Sequence, residues 1–119
     1  MELKTRVLDI PANLVVLHVS GKITTNFLSV LEAELNRLCS GPPVKLILEI
    51  QHVDSIDSQG VGMLIKARND IVANRGKVVL IGITRRVATV LKISGLDTYF
   101  PVAPTEFQAI KLLEEKNQA

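Results

Sequence analysis

The sequence predicts an α/β fold: a single domain with a mixed central β-sheet and about four helices in the order β-β-α-β-α-β-α-β-α.

 Three observations carry this. Two apolar runs, Val44 to Ile50 (VKLILEI) and Lys77 to Ile81 (KVVLI), have almost no polar face, as in parallel strands covered on both sides. Between and after them, apolar residues recur every three or four positions, the helical period. Turn residues separate these segments at short intervals, with no linker and no internal repeat.

In chain order, Leu3 to Leu8 and Leu14 to Val19 read as strands of an initial hairpin, joined through the turn residues Asp9-Ile10-Pro11-Ala12-Asn13. His18 falls within the second strand, as a packed or edge histidine. Ser20-Gly21-Lys22-Ile23-Thr24-Thr25-Asn26 interrupts the strand pattern and supplies helix caps. Phe27, Leu31, Leu35 and Leu38 then draw one apolar face, with Leu28 beside it and Glu32, Glu34, Asn36 and Arg37 opposite. Ser40-Gly41-Pro42-Pro43 stops that helix, and Val44 to Ile50 follows as a central strand, with Lys45 near its open end and Glu49 near its carboxyl end.

The second helix places Val61, Leu64, Ile65, Ile71 and Val72 on or near one face, with Arg68 aligned and snorkelling, and ends at Asn74-Arg75-Gly76. After the strand Lys77 to Ile81, Thr84 caps a third helix running to about Ser94, its stripe being Val87, Val90, Leu91 and Ser94, and Gly95 terminates it. Leu96-Asp97-Thr98 leads to the short run Tyr99-Phe100-Pro101-Val102, with Phe100 in the core and Pro101 marking an edge strand. Thr105 to Gln108 has capping spacing, and Phe107, Ile110 and Leu113 make a last amphipathic helix. The domain spans 1–119, with a core of about 3–113 and a polar tail, 114–119, that frays.

Composition bounds the function. A chain of 119 residues with a formal charge of +2 has room for one modest core, which must be aliphatic because Trp is absent and Tyr99 is the only tyrosine. Its Lys and Arg residues are scattered, without the basic blocks or aromatic interleaving of a nucleic-acid groove. Cys39 is alone, which excludes an internal disulfide and agrees with a reducing compartment. MELKTRVLDIP puts charges where a signal peptide needs apolar residues, and no run approaches the roughly 18 to 20 apolar residues of a membrane span. The expected location is cytoplasmic, without membrane insertion.

Chemistry concentrates at Asp57-Ser58-Gln59-Gly60, where the buried strand hands the chain to the second helix. A helix start has N–H groups without internal partners and favours negative charge. A phosphoryl group there adds about −1.5 to −2 charge and three acceptors, changing the surface while disturbing the helix little. Ser58 therefore has two readings, a helix cap or a switch residue. Gly60 and Gly62 likewise serve close packing or leave the helix start open to a protein partner. Arg85 and Arg86, at the start of the third helix, oppose its dipole and belong outside, facing solvent or a partner. Right-handed crossovers gather the turns at Thr24, Ser58 and Thr84 on one surface.

Other chemistries fit poorly. Ser58, His52 and Asp57 are the residue types of a hydrolytic triad, yet the Asp is adjacent to the Ser and no G-x-S-x-G elbow is present. Gly60-Val61-Gly62 is no P-loop, and Lys66 does not supply its ending. His18, His52 and Cys39 are too scattered for a metal set. Neither an enzyme activity nor a cofactor is expected.

Over roughly Leu3 to Leu113 the chain resembles a STAS domain, specifically the stand-alone bacterial anti-sigma factor antagonist. The resemblance rests on the Gly-Lys-Ile turn before the first helix, Ile56-Asp57-Ser58-Gln59-Gly60-Val61-Gly62 after the apolar strand, Gly76 before the next strand, and Ser94-Gly95-Leu96 after the third helix. It implies partner switching. An unphosphorylated antagonist binds an anti-sigma factor that is also an ATP-dependent serine kinase, which frees the sigma factor. That kinase phosphorylates the serine at the Ser58 position, and a PP2C-type phosphatase reverses the change.

The partner surface implied for this chain comprises Thr24, Glu49, Asp57, Ser58, Gln59, Gly60, Gly62 and Arg85. Three of these positions depart from the family's habit: Thr24 replaces an acidic residue, Glu49 an Asp or Asn, and Gln59 a second small hydroxyl. Thr24 reads first as a helix cap and second as another phosphorylation site. The alternative role is that of a non-catalytic STAS subunit in a larger signalling, stress-sensing or lipid-transport complex, with or without phosphate on Ser58.

Overall fold

The computed structural model describes residues 2–8, 14–24, 28–93, 95 and 100–114. The Asp9–Asn13 turn, Thr25, Asn26, Phe27, Ser94, Leu96-Asp97-Thr98, Tyr99 and the tail 115–119 lie outside the described residues. Nine elements follow the predicted order: β1 (Glu2–Leu8), β2 (Leu14–Ile23), α1 (Leu28–Cys39), β3 (Lys45–Ile56), α2 (Ser58–Ala73), β4 (Lys77–Ile81), α3 (Arg85–Ile93), β5 (Val102–Ala103) and α4 (Glu106–Glu114). The strands form one sheet in the order β1-β2-β3-β4-β5. β1 is antiparallel to β2, and the remaining neighbours are parallel.

Each face of the sheet buries its own aliphatic layer. On one side, Val15, Leu17 and Val19 of β2 and Leu46, Leu48 and Ile50 of β3 meet Leu31 and Leu35 of α1, Leu64 and Ile71 of α2, and Val87 and Leu91 of α3. On the other, Leu14, Val16, Ile47 and Val79 meet Ala109 and Leu113 of α4. The period-2 alternation of strand side chains divides VKLILEI between the two layers, which is why the run has no polar face.

Two strands run further than the sequence pattern suggested. β2 continues through Ser20-Gly21-Lys22-Ile23, and β3 continues six residues past Ile50. Their ladder absorbs irregularities on the way. His18↔Glu49 is followed by Ser20↔His52, and Gly21↔Val53 by Lys22↔Ser55, so β3 carries the extra residues. Such bulges reverse which face later side chains occupy. Val53 and Ile56 thereby return to the same buried layer as Ile50. Gly21, at φ 88°, takes a backbone conformation open to glycine, so the residues that resemble a turn lie within a strand.

Helix faces are also corrected in part. Val72 is 44% exposed and Phe107 66% exposed, whereas Ala67 and Ala109 are buried. Small alanines let α2 and α4 approach the sheet closely, and this rotates the larger neighbours outward. Phe107 instead lies under Lys111, whose Nζ is 4.6 Å from the ring centre. Phe100 is buried as expected, and β5, preceded by Pro101, is the sheet edge.

Candidate functional site

The parallel strands β2, β3 and β4 lead into α1, α2 and α3, which pack on one face, so these helix starts share the carboxyl end of the sheet. The junction after β3 is built from backbone contacts to β2. Ile23 pairs with Ile56, and the Asp57 amide donates to the Ile23 carbonyl at 3.2 Å. Asp57 is extended, with φ −103° and ψ −179°, and its Oδ1 accepts from the Gly60 amide at 2.8 Å. Asp57 is thus the N-cap of α2, and its own carbonyl accepts from Val61 at 2.9 Å.

This geometry separates the two readings of Ser58. Capping is performed by Asp57, while Ser58 is the first helical residue and is exposed. Gln59 beside it is exposed as well. The two glycines have different reasons. A Cβ on Gly60 would stand 2.4 Å from the Ile23 carbonyl oxygen and 2.9 Å from Ile56 Cγ1, so Gly60 permits α2 to touch the ends of β2 and β3. Gly62 is exposed, and a Cβ there would meet nothing within 4 Å. Its missing side chain leaves the outer surface of the first turns low.

Thr24 is half-buried in the bend directly after β2, next to the residue that anchors Asp57. The described part of α1 begins at Leu28, and residues 25–27 between it and Thr24 lie outside the described residues. Thr84 does cap α3, its Oγ1 accepting from the Val87 amide at 3.3 Å. Arg85 is exposed at the first position of α3, and Arg86 reaches β3, where its Nη1 donates to the Asp54 carbonyl at 3.0 Å.

Glu49 does not join this surface. It sits seven residues before Ile56, and at about 3.3 Å per strand residue that is roughly 20 Å from the α2 junction. The apolar run that places Glu49 near a strand end stops at Ile50, whereas β3 itself continues to Ile56. Glu49 is instead buried on the α4 face, with Oε2 3.4 Å from His18 Nδ1. Arg6 Nε donates to His18 Nε2 at 3.1 Å and its guanidinium also pairs with Glu106. This polar group ties β1, β2, β3 and α4 together.

One cation at the carboxyl end, Lys22, has no role in the sequence reading, and it joins Arg86, which that reading places outside. Lys22, exposed, stands opposite Ser55 in the ladder, and Arg86 is fixed to the neighbouring Asp54 carbonyl. The signal for Lys22 was present in its position just before Ile23, but reading that segment as a loop concealed it. His52 pairs with Ser20 within the β2–β3 ladder, while the Asp57 carboxylate turns back to its own helix, so neither arrangement orients the other toward Ser58 as in a triad. Among the described residues no group of three His, Cys, Asp or Glu side chains is placed to hold a metal ion.

Comparison with known proteins agrees with this architecture. No curated protein matches the chain. Among solved structures, an anti-sigma factor antagonist from Mycobacterium paratuberculosis shares 21% identity at a TM-score of 0.82, over 96% of this chain and 94% of that one. The phosphorylated form of the Bacillus cell fate determinant SpoIIAA shares 20% identity at a TM-score of 0.72, over 95% and 100%. A serine-to-glutamate variant of Moorella thermoacetica RsbS shares 18% at 0.77, over 96% of each chain. At these identities the likeness is one of fold. A family model described as the STAS domain matches residues 5–109, nearly the whole sheet-and-helix core, and the chain therefore belongs to the STAS domain family.

Proposed function

We propose that this chain is a single-domain, cytoplasmic, phosphorylation-controlled protein-binding regulator. Unmodified, it sequesters an anti-sigma factor that is also a serine kinase, and so frees a sigma factor. Ser58 is the phosphoacceptor, and a PP2C-type phosphatase restores the binding form. The observation that carries this reading is the division of labour at α2: Asp57 caps the helix, and the exposed Ser58 hydroxyl is not needed for that task.

The contact surface comprises Thr24, Asp57, Ser58, Gln59, Gly60, Gly62 and Arg85, with Gly60 acting through the backbone packing it allows. Phosphate on Ser58 stands at a helix N-terminus, where unpaired N–H groups and the helix dipole stabilise an anion. The adjacent Asp57 carboxylate raises the local negative charge further. A partner that docks against the low surface at Gly62 then meets both added bulk and added charge. The names of similarly folded proteins, an antagonist and a phosphorylated determinant, support the same reading.

The test is mass spectrometry after incubation with ATP and the serine kinase encoded in the same organism, paired with binding measurements. One phosphate on Ser58 and at least tenfold weaker kinase binding afterward are expected. Phosphate found only at other residues, or unchanged affinity once Ser58 is modified, would overturn the mechanism and favour a structural subunit of a larger complex.

A further inference from the structure

Beside the polar group that ties β1, β2, β3 and α4 together lies a hollow of about 450 Å³, with Lys4, Arg6, His18, Ser20, Glu49 and His52 in its lining. At its centre the geometry decides where the His18 ring carries its proton. Arg6 Nε stands 3.1 Å from His18 Nε2. A guanidinium can only donate, so Nε2 accepts and is unprotonated. The proton of the neutral ring is therefore on Nδ1, which donates to Glu49 Oε2 at 3.4 Å. Glu49 is buried, whereas the His18 side chain is 33% exposed and within reach of solvent protons.

Protonation removes one of these two bonds and spares the other. An imidazolium donates from both nitrogens and accepts at neither, so the Arg6 bond exists only while His18 is neutral. Like charge acts in the same direction, because Arg6 and Lys4, the cross-strand neighbour of His18 on β1, both face the new cation. Glu49 on β3 acts the other way and keeps hold of the ring at Nδ1. Glu2 on β1 and His52 on β3, which flank Ser20 in the ladder, complete the titratable lining. From α4, Glu106 pairs with the Arg6 guanidinium. Glu49 thus anchors the ring and Glu106 anchors the guanidinium, and the joint that parts is the one between them.

We propose that His18 is a pH-operated clasp. Neutral, it joins Arg6 to Glu49 and so ties the edge strand β1 and the first turn of α4 to β3; protonated, it releases Arg6 and opens that side of the hollow. Imidazole takes up its proton between about pH 5 and 8, a range in which other ordinary side chains keep their charge. Glu49 lies roughly 20 Å along β3 from the α2 junction, so the clasp does not depend on the phosphorylation reading.

The test follows the full chain by NMR from pH 7.5 to 5.5, reading the ring nitrogens of His18 and the Nε–H of Arg6. At pH 7.5 His18 should be the Nδ1–H tautomer. Solvent exchange of the Arg6 Nε–H, taken relative to the exposed Arg85 Nε–H in the same sample, should be at least threefold faster at pH 5.5 than at pH 7.5, with its midpoint at the His18 titration. His18→Gln, which does not titrate, should abolish that change, and His52→Gln should keep it. The clasp is overturned by an Nε2–H tautomer at pH 7.5, by an Arg6 signal that ignores the His18 titration, by a change that survives in His18→Gln, or by its loss in His52→Gln. If His18→Gln fails to fold, the tautomer and the Arg6 exchange of the unaltered chain decide.

Discussion

The Ile23 carbonyl oxygen accepts the Asp57 amide and lies 2.4 Å from where a Cβ on Gly60 would stand. One backbone atom at the end of β2 thus sets both the entry angle of α2 and the side-chain limit three residues beyond its cap. Gly60→Ala is expected to destabilise the fold by about 1–3 kcal/mol, because overpacking against backbone outweighs the gain of about 1 kcal/mol in helix propensity. Gly62→Ala meets nothing and should stabilise by up to about 1 kcal/mol. Urea unfolding of both variants checks the pair, and equal effects would show that the contact at Gly60 relaxes freely.

The cap assignment gives a second expectation. Asp57→Ala loses the bond to the Gly60 amide and should cost about 0.5–2 kcal/mol, whereas Asp57→Asn keeps an accepting oxygen and should cost far less. Ser58→Ala leaves the cap intact and should change stability by less than about 0.5 kcal/mol. A large loss in Ser58→Ala, read by thermal melting, would show that the hydroxyl has a structural role.

Glu34 supplies a pH-dependent one. Its carboxylate accepts from Arg37 Nε and Nη2 at 2.8 and 2.6 Å and also from Thr5, linking α1 to the edge strand β1. The Arg37 hydrogen bonds hold its pKa below the usual carboxylate value, against the opposing effect of burial. A depressed folded-state pKa gives stability that is present above the unfolded value and lost as pH falls through the folded one. Glu34→Gln should therefore lower stability at pH 7 by about 0.5–1 kcal/mol, and by progressively less below pH 4.5. Melting curves of both proteins from pH 7 to 3 should converge on acidification, and a constant gap would exclude Glu34 as the titrating group.

Burial raises the Cys39 thiol above its ordinary pKa, and the nearby Asp70 carboxylate raises it further while Lys66 opposes. The reactive thiolate is accordingly scarce at neutral pH. Alkylation by iodoacetamide at pH 8 should be slower than for a free small thiol, and Asp70→Asn should speed it severalfold. A rate that matches the free thiol would show that the sulfur is not held in this environment.

Most of the architecture was legible because strand and helix periods are written locally: KVVLI is β4 and the Leu31–Leu35 spacing is the face of α1. Asp57-Ser58 could be placed at a strand-to-helix junction on the same grounds, although which residue caps depends on backbone angles that no spacing records. What escaped was register. The extra residues in β3 preserve burial at Val53 and Ile56 only when β2 lies beside it, so neither strand's full length shows in its own sequence. The displacement of Glu49 from the site follows from that single fact. Phe107 escaped for a different reason: the pattern ranks it above Ala109, but close approach to the sheet favours the smaller side chain.

β4 pairs with β3 only from Lys45 to Glu49, while β2 accompanies β3 as far as Ile56. Beyond Glu49 the carboxyl half of β3 has β2 on one flank, and on the other Arg86 occupies the Asp54 carbonyl. Ser58 consequently follows a part of β3 that has no β4 beside it, while Val53 and Ile56 keep that part packed in the aliphatic layer. The phosphate proposed for Ser58 would add charge at an exposed position and leave that layer untouched. On the proposed reading, modification would be reversed without a cycle of unfolding, and substitutions that retune a docked partner would accumulate while the aliphatic layers stay as they are.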